Sequence, residues 1–351
     1  MTRTTRRRGA ALPVVALTVV FASAAALAGG VARAAEAPPP DAVDQFRRCA
    51  ALVSPDVRLA CFDELAVRFG VPVAVPANDG ILEPPPDVSR VSRRWDLEDI
   101  SQRGRFALVV HKPNYFLAGT YNFDPNQKPF DAGALRVRNE EVKLQLSFKV
   151  KLAEDLIGNN GDLWATYTQQ SYWLAYAKSA PFRDTSYEPS LLFTWRTNTD
   201  LFGVKARMLA IELNHQSNGR GDFGALSRSW NRIIGKAVFE RGDFVTELRA
   251  WWRIPEPSST DNNPDIEHYM GNGEAMISWE RGRHTLSAQV RSNLSPGAHR
   301  GAAELTWSFP IPKADNLKGY AQYFYGYGES LIDYNVRTNR IGLGLAFSDW
   351  Y

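Results

Sequence analysis

The sequence predicts an all-β protein, a 12-stranded antiparallel transmembrane β-barrel preceded by a short N-terminal helical hairpin. Three observations carry this expectation. From Val142 to Leu152 apolar Val142, Leu144, Leu146, Phe148, Val150 and Leu152 alternate with polar Lys143, Gln145, Ser147, Lys149 and Lys151, a strand with one apolar and one charged face. Comparable segments follow at intervals to the end of the chain, and short connections such as Arg241-Gly242 and Arg281-Gly282 alternate with longer polar ones such as 255–265. Finally, beyond the start of the chain there is no run near the ~20 apolar residues of a spanning helix, the longest uncharged stretch, 163–177, being rich in Thr, Gln, Ser and Tyr.

Residues 1–34 read as an export signal. Arg3, Arg6, Arg7 and Arg8 precede 24 uncharged residues, 9–32, and Ala32-Arg33-Ala34 fits a small-x-small cleavage site, so cleavage is expected after Ala34. These 34 residues hold five arginines and no acid while the whole chain is only +3, so the remainder is slightly acidic and no nucleic-acid partner is expected. With 44% apolar and 23% charged residues the chain is not a disordered one.

Residues 35–70 carry helical periodicity, with Ser54-Pro55 supplying an N-cap and a first-turn proline for a second helix. Cys49 and Cys61, the only cysteines, suggest one disulfide across this hairpin in an oxidising compartment. Residues 71–104 open with Pro72, Pro76, Pro84, Pro85 and Pro86 around Asn78-Asp79-Gly80 and read as a Pro-rich linker.

Residues 105–351 form the barrel domain. Its expected strands are a short one near 115–121, then 142–152, 163–173, 190–197, 204–215, 230–240, 244–254, 270–280, 284–292, 302–309, 319–326 and 337–350. Their inward charges, such as Glu247, Arg249 and Arg253, are expected to form a salt-linked plug and to leave no wide pore. A soluble β-sandwich is the alternative architecture, disfavoured because its inner faces would have to bury Lys, Arg and Glu.

The chemistry concentrates in His215-Gln216-Ser217-Asn218-Gly219-Arg220 and Ser227-Arg228-Ser229-Trp230-Asn231-Arg232. By parity Leu209, Ile211, Leu213, His215 and Ser217 share the lipid-facing side, as does Asn231 with Ile233, Ala237 and Phe239. Polar groups there are costly unless they satisfy one another. Ser217 is a candidate nucleophile, His215 its base and Asn231 the group that orients the imidazole without burying a charge. Gln169 also falls on the lipid face, where an amide wants a partner across an interface. The other four histidines show no metal-ligand spacing.

These two blocks, with Ser179-Ala180-Pro181-Phe182-Arg183, Tyr187-Glu188-Pro189 and the stretch from Gly326 to Asn335, resemble the signature of the outer-membrane phospholipase A family over roughly 105–351. The resemblance implies calcium-dependent hydrolysis of phospholipid acyl esters (phospholipase A1/A2) in a Gram-negative outer membrane. It implies the Ser217, His215, Asn231 triad, an oxyanion hole at the Gly219 amide, and activity as a homodimer with Gln169 in the contact. It further implies Ca2+ held by Arg220, Ser227 and the partner's Ser179, a possible second calcium site at Asp222 with Asp261 or Asn262, and insertion by the barrel-assembly machinery. The stretch 221–226 is longer than the family's pattern, and Gly221 stands where a serine is expected. The alternative function is a non-enzymatic outer-membrane barrel, a small porin or structural protein, in which His215 and Ser217 merely line a loop.

Overall fold

The computed structural model describes residues 40–68, 88–98, 101–131, 133, 135–221, 226–293 and 300–351. The export signal expected at 1–34 lies outside the described residues. The chain divides into two units, Met1–Ala77 and Asn78–Tyr351.

In the first unit, helices α1 (Pro40–Ala50) and α2 (Pro55–Arg68) are joined by a four-residue connection. Pro55 opens α2, where its missing N–H costs nothing, and the Ser54 carbonyl accepts the first helical bond from Arg58. A Cys49–Cys61 disulfide with Cα atoms 5.5 Å apart staples the pair, and Phe46 and Phe62 meet beside it at 5.9 Å. Such a hairpin has too little core to hold itself, which is what the covalent bond supplies.

The second unit is a closed antiparallel barrel. In chain order its strands are β1 (Leu108–Val110), β2 (Asn114–Asn122), β3 (Glu140–Ala153), β4 (Asp162–Trp173), β5 (Phe182–Leu201), β6 (Val204–Ser217), β7 (Ser229–Arg241), β8 (Phe244–Arg253), β9 (Gly273–Arg281), β10 (His284–Ser292), β11 (Gly301–Ile311), β12 (Ala314–Tyr327) and β13 (Arg337–Ser348). Neighbours in sequence pair, and β13 returns to β2, as in Phe116↔Leu345, to close the ring. The short β1 pairs with β3 below β2, so β1 and β2 are one stave broken around Pro113, and the barrel has twelve.

Three strands differ clearly from their expected extents, and the one expected at 319–326 begins already at Ala314. The strand expected at 190–197 runs from Phe182 to Leu201, because Pro189 pairs with Tyr167 without ending the ladder. The start of the segment expected at 270–280 is instead the end of a short helix, α4 (Ile266–Met270), whose Ile266 and Met270 are buried.

The barrel is inverted relative to a soluble protein. Leu146, Ile211, Leu213 and Leu343 point out and are exposed, while Glu141, Lys143, Lys149 and Lys151 are fully buried inside. Among the described residues no helix is long and apolar enough to cross a membrane, so the strands provide the apolar belt. The lumen is filled by ion pairs that include Lys143–Glu329, Arg183–Asp333, Arg340–Glu141, Lys236–Glu212 and Arg249–Glu274. An internal cavity of about 150 Å³ lies among the inward charges, lined by Lys143, Glu329, Arg249 and Glu274 among others.

The sequence reads 71–104 as linker, but residues 88–98 in that stretch do not behave as one. Helix α3 (Arg90–Trp95), capped by Ser89 and ended by Asp96 at φ 53°, packs into the barrel at its tight-turn end. Val91 and Trp95 join Trp164, Leu192, Met208, Val238 and Val245 in one apolar cluster, and Lys149 Nζ sits 3.2 Å above the Trp95 ring. The prolines that suggest a linker end at Pro86, and the apolar pair Val91 and Trp95 that reverses the assignment finds its partners only in distant strands.

Candidate active site

The tight turns at 202–203, 242–243, 282–283 and 312–313 mark one end of the barrel; the long connections, including 218–228 and 254–272, mark the other. In outer-membrane barrels the long loops face outward. The candidate residues sit at this outer end of β6 and β7, where the ladder pairs His215 with Asn231 and Ser217 with Ser229.

The face predicted for each residue is the face observed. Along β6, Leu209, Ile211, Leu213 and His215 are exposed on the outer wall, while Met208, Glu212 and Asn214 are buried. Along β7, Trp230, Arg232 and Ile234 are buried, whereas Asn231 and Ile233 point out. Inside, beneath the polar row, Asn214 donates to Glu188, Ser190 and Glu212 and accepts from Arg232, so every valence of its amide is used. Gln216 likewise donates to Ser186 and accepts from Trp230. This inner network holds both strands in register under the outward groups.

Outside, one contact organises the site: His215 Nδ1 lies 2.8 Å from Asn231 Oδ1. The Asn231 amide nitrogen donates to Glu256 Oε1 at 3.5 Å, which fixes the amide with its carbonyl toward the ring. A carbonyl can only accept, so Nδ1 carries the proton and Nε2 is left as the basic nitrogen. Ser217 stands on the same face two residues along, and among the described residues no hydrogen bond joins it to His215. Side chains two apart on a strand are based ~6.5 Å from each other, so the pair is poised rather than in contact. Sequence reasoning did not single out Glu256; it lies beyond the end of β8, and only the fold carries it to Asn231.

Asn218, buried beside the serine, ties the following loop down. It pairs with the Arg228 backbone in both directions and donates from its side chain to the Leu226 carbonyl. Gly219 has φ +61°, and a Cβ there would lie 2.8 Å from the Tyr187 ring, so glycine is required on both conformational and steric grounds. Below the rim, Arg183 and Arg340 share Glu141, and Arg183 also binds Asp333, which ties β3, β5, β13 and the 328–336 connection together.

The oxygens expected to hold a cation can be tested for fit. The Arg220 guanidinium turns to the Arg183 carbonyl and toward Asp184, leaving its own carbonyl unused by any hydrogen bond among the described residues. The Ser227 hydroxyl and the Ser179 carbonyl are likewise uncommitted, and Ser179, at φ 73°, is exposed on the 174–181 connection. Uncommitted neutral oxygens suit a hard cation. No cluster of three His, Cys, Asp or Glu side chains able to hold a metal occurs among the described residues. Asp222 lies outside them. Asp261 accepts from Arg253 and from the Asn263 amide, with Asn262 exposed beside it.

Gln169 is half-exposed on the outer wall as its parity requires; it accepts from Tyr167 and donates to Ser171, while Gln170 takes the inward contacts to Gln145 and Tyr115. His111 is buried against Trp95 at 5.6 Å, far from the site in the fold.

Comparison with known proteins gives this geometry a lineage. Residues 91–347 match the model of the phospholipase A1 family. The chain is 38% identical over 299 residues to phospholipase A1 of Klebsiella pneumoniae, covering 84% of this chain and 99% of that protein. Among solved structures, the Salmonella typhi outer membrane phospholipase dimer with bound calcium is 35% identical with a TM-score of 0.65, covering 73% of this chain and 96% of the other. Outer membrane phospholipase A from Escherichia coli is 37% identical with a TM-score of 0.64 over 70% of this chain and all of the other. The protein therefore belongs to the phospholipase A1 family, the phospholipases built on a barrel of the Gram-negative outer membrane.

Proposed function

We propose that this protein hydrolyses the acyl ester bonds of phospholipids through Ser217, His215 and Asn231 on the lipid-facing wall, as a calcium-dependent homodimer. The observation that carries the reading is the outward His215–Asn231 pair at 2.8 Å, with Ser217 on the same face where acyl chains would lie.

A lipid ester reaching the outer rim from the side meets the serine hydroxyl. His215 Nε2 takes the Ser217 proton as Oγ attacks the carbonyl carbon, and Asn231, by accepting from Nδ1–H, keeps the ring oriented and in that tautomer. The Gly219 N–H, next but one to the nucleophile, stands ready for the developing oxyanion. The imidazolium returns its proton to the departing lysophospholipid oxygen, and a water activated by the same nitrogen then releases the fatty acid from the acyl-serine. Bound at Arg220, Ser227 and the partner subunit's Ser179, calcium would add positive charge beside that oxyanion.

The Salmonella relative, a dimer with bound calcium, supports the cation and the assembly. Gln169, outward and with only strand neighbours to satisfy it, is the proposed dimer contact. Asp222 with Asp261 or Asn262 would form a second, weaker calcium site, and insertion through the barrel-assembly machinery belongs to the same reading. The test is fatty-acid release from phospholipid micelles by the detergent-refolded protein, with calcium and with chelator. Release that survives the chelator removes calcium from the proposal, and full activity in a cross-linked sample proven monomeric removes the dimer.

A further inference from the structure

β8 ends at Arg253, but the pairing does not. The Ile254 N–H donates to the Asn231 carbonyl at 2.8 Å, continuing the ladder one residue past Arg253↔Arg232. Outer-face parity runs Trp252, Ile254, and Glu256 follows two residues beyond the last paired position, within reach of the Asn231 amide. Pro255 and Pro257 flank it, and a residue before proline is held extended, which keeps the carboxylate on that face. Its Oε1 accepts from the Asn231 amide at 3.5 Å.

We propose that Glu256 is a positioning residue of this site: by accepting from the Asn231 amide it holds the Asn231 carbonyl toward His215 Nδ1 and supplies, one residue removed, the negative charge that an asparagine lacks. In a hydrolase whose third member is an aspartate, one side chain does both things. Here the charge sits on the long outer connection beyond the end of β8, and the neutral amide is the group that meets the imidazole. The surroundings act on this charge in both directions. Burial raises the Glu256 carboxyl above the usual carboxylate range, and Asp261 on the 254–272 connection adds to this, while Arg253 of β8, His215 of β6 and the Asn231 hydrogen bond pull it back. Arg253 spends one guanidinium nitrogen on Asp261, so it is not a dedicated partner for Glu256.

The inference rests on the proposed triad, and the experiment separates the two. Steady-state hydrolysis of phospholipid in mixed micelles is followed against pH for wild type, Ser217→Ala, Glu256→Ala, Glu256→Gln, Asn231→Ala and the Glu256→Ala/Asn231→Ala double variant, each checked for folding by heat-modifiable gel migration. Glu256→Ala is expected to lower kcat by about tenfold with KM unchanged, and Glu256→Gln, whose amide oxygen can still accept, to recover most of it. In the Asn231→Ala background Glu256→Ala should cost nothing further, since it acts through that amide. A Glu256→Ala kcat within about twofold of wild type, or a loss of equal size in the double variant, overturns the inference while an inactive Ser217→Ala leaves the triad standing. An active Ser217→Ala overturns both.

Discussion

The inner and outer faces of β6 and β7 are built from the same strands and treat polar groups in opposite ways. Inside, Asn214 engages Glu188, Ser190, Glu212 and Arg232, and Lys236 meets Glu212 at 2.6 Å. Outside, His215 has one bond to Asn231, and Ser217 has none to His215 among the described residues. A saturated network resists change, because each lost partner strands a buried charge; a sparse one keeps a nitrogen and a hydroxyl free to exchange a proton. Replacing a residue on the outer face should therefore damage turnover and spare the fold, and replacing one on the inner face should do the reverse.

The sharpest test is Ser217→Ala. It should lower hydrolysis by 10³-fold or more, with unchanged heat-modifiable migration. If the barrel melts instead, the contrast between the faces fails.

Glu141→Ala is the inner counterpart. It leaves Arg183 and Arg340 short of the carboxylate they share, at a cost of about 3–5 kcal/mol for a broken buried pair. The readout is a lower urea midpoint in unfolding from lipid vesicles, with activity per folded molecule retained.

Asn231→Ala comes next. It should cost on the order of 10- to 100-fold in kcat with little change in unfolding midpoint, since the ring loses its orientation while the ladder keeps its backbone bonds.

The smallest effect is electrostatic and sits on the outer face. Burial raises the Glu256 carboxyl, so the folded state holds this proton to higher pH than the unfolded one. Its contribution to stability is then present below its titration and lost as pH rises through it, a slope that Glu256→Gln should remove. Midpoints compared at pH 4 and pH 7 for both proteins would show it.

How much of this was legible in the sequence follows from the range of the physics. Alternation of Leu209, Ile211, Leu213 and His215 against Glu212 and Asn214 is a property of one strand, so the barrel, its inverted polarity and the outward aim of the histidine and serine could be read from adjacent residues. The motifs around Ser217 and Asn231 pointed to the chemistry in the same local way.

Other features needed the closed ring. Val91 and Trp95 look like part of a linker until strands from distant positions supply Trp164, Leu192 and Met208 to pack on them. That His215 faces Asn231, and not a neighbour one pair away, depends on register, which the whole sheet sets when β13 meets β2. Glu256 depends on a strand pairing that continues past its last regular residue. The sequence alone determined which way each side chain points, because side-chain direction has a period of two residues. The tertiary structure alone decided which of those side chains meet, because a contact between residues 16 or 25 positions apart is made only when long-range pairing pays the entropy of closing the chain between them.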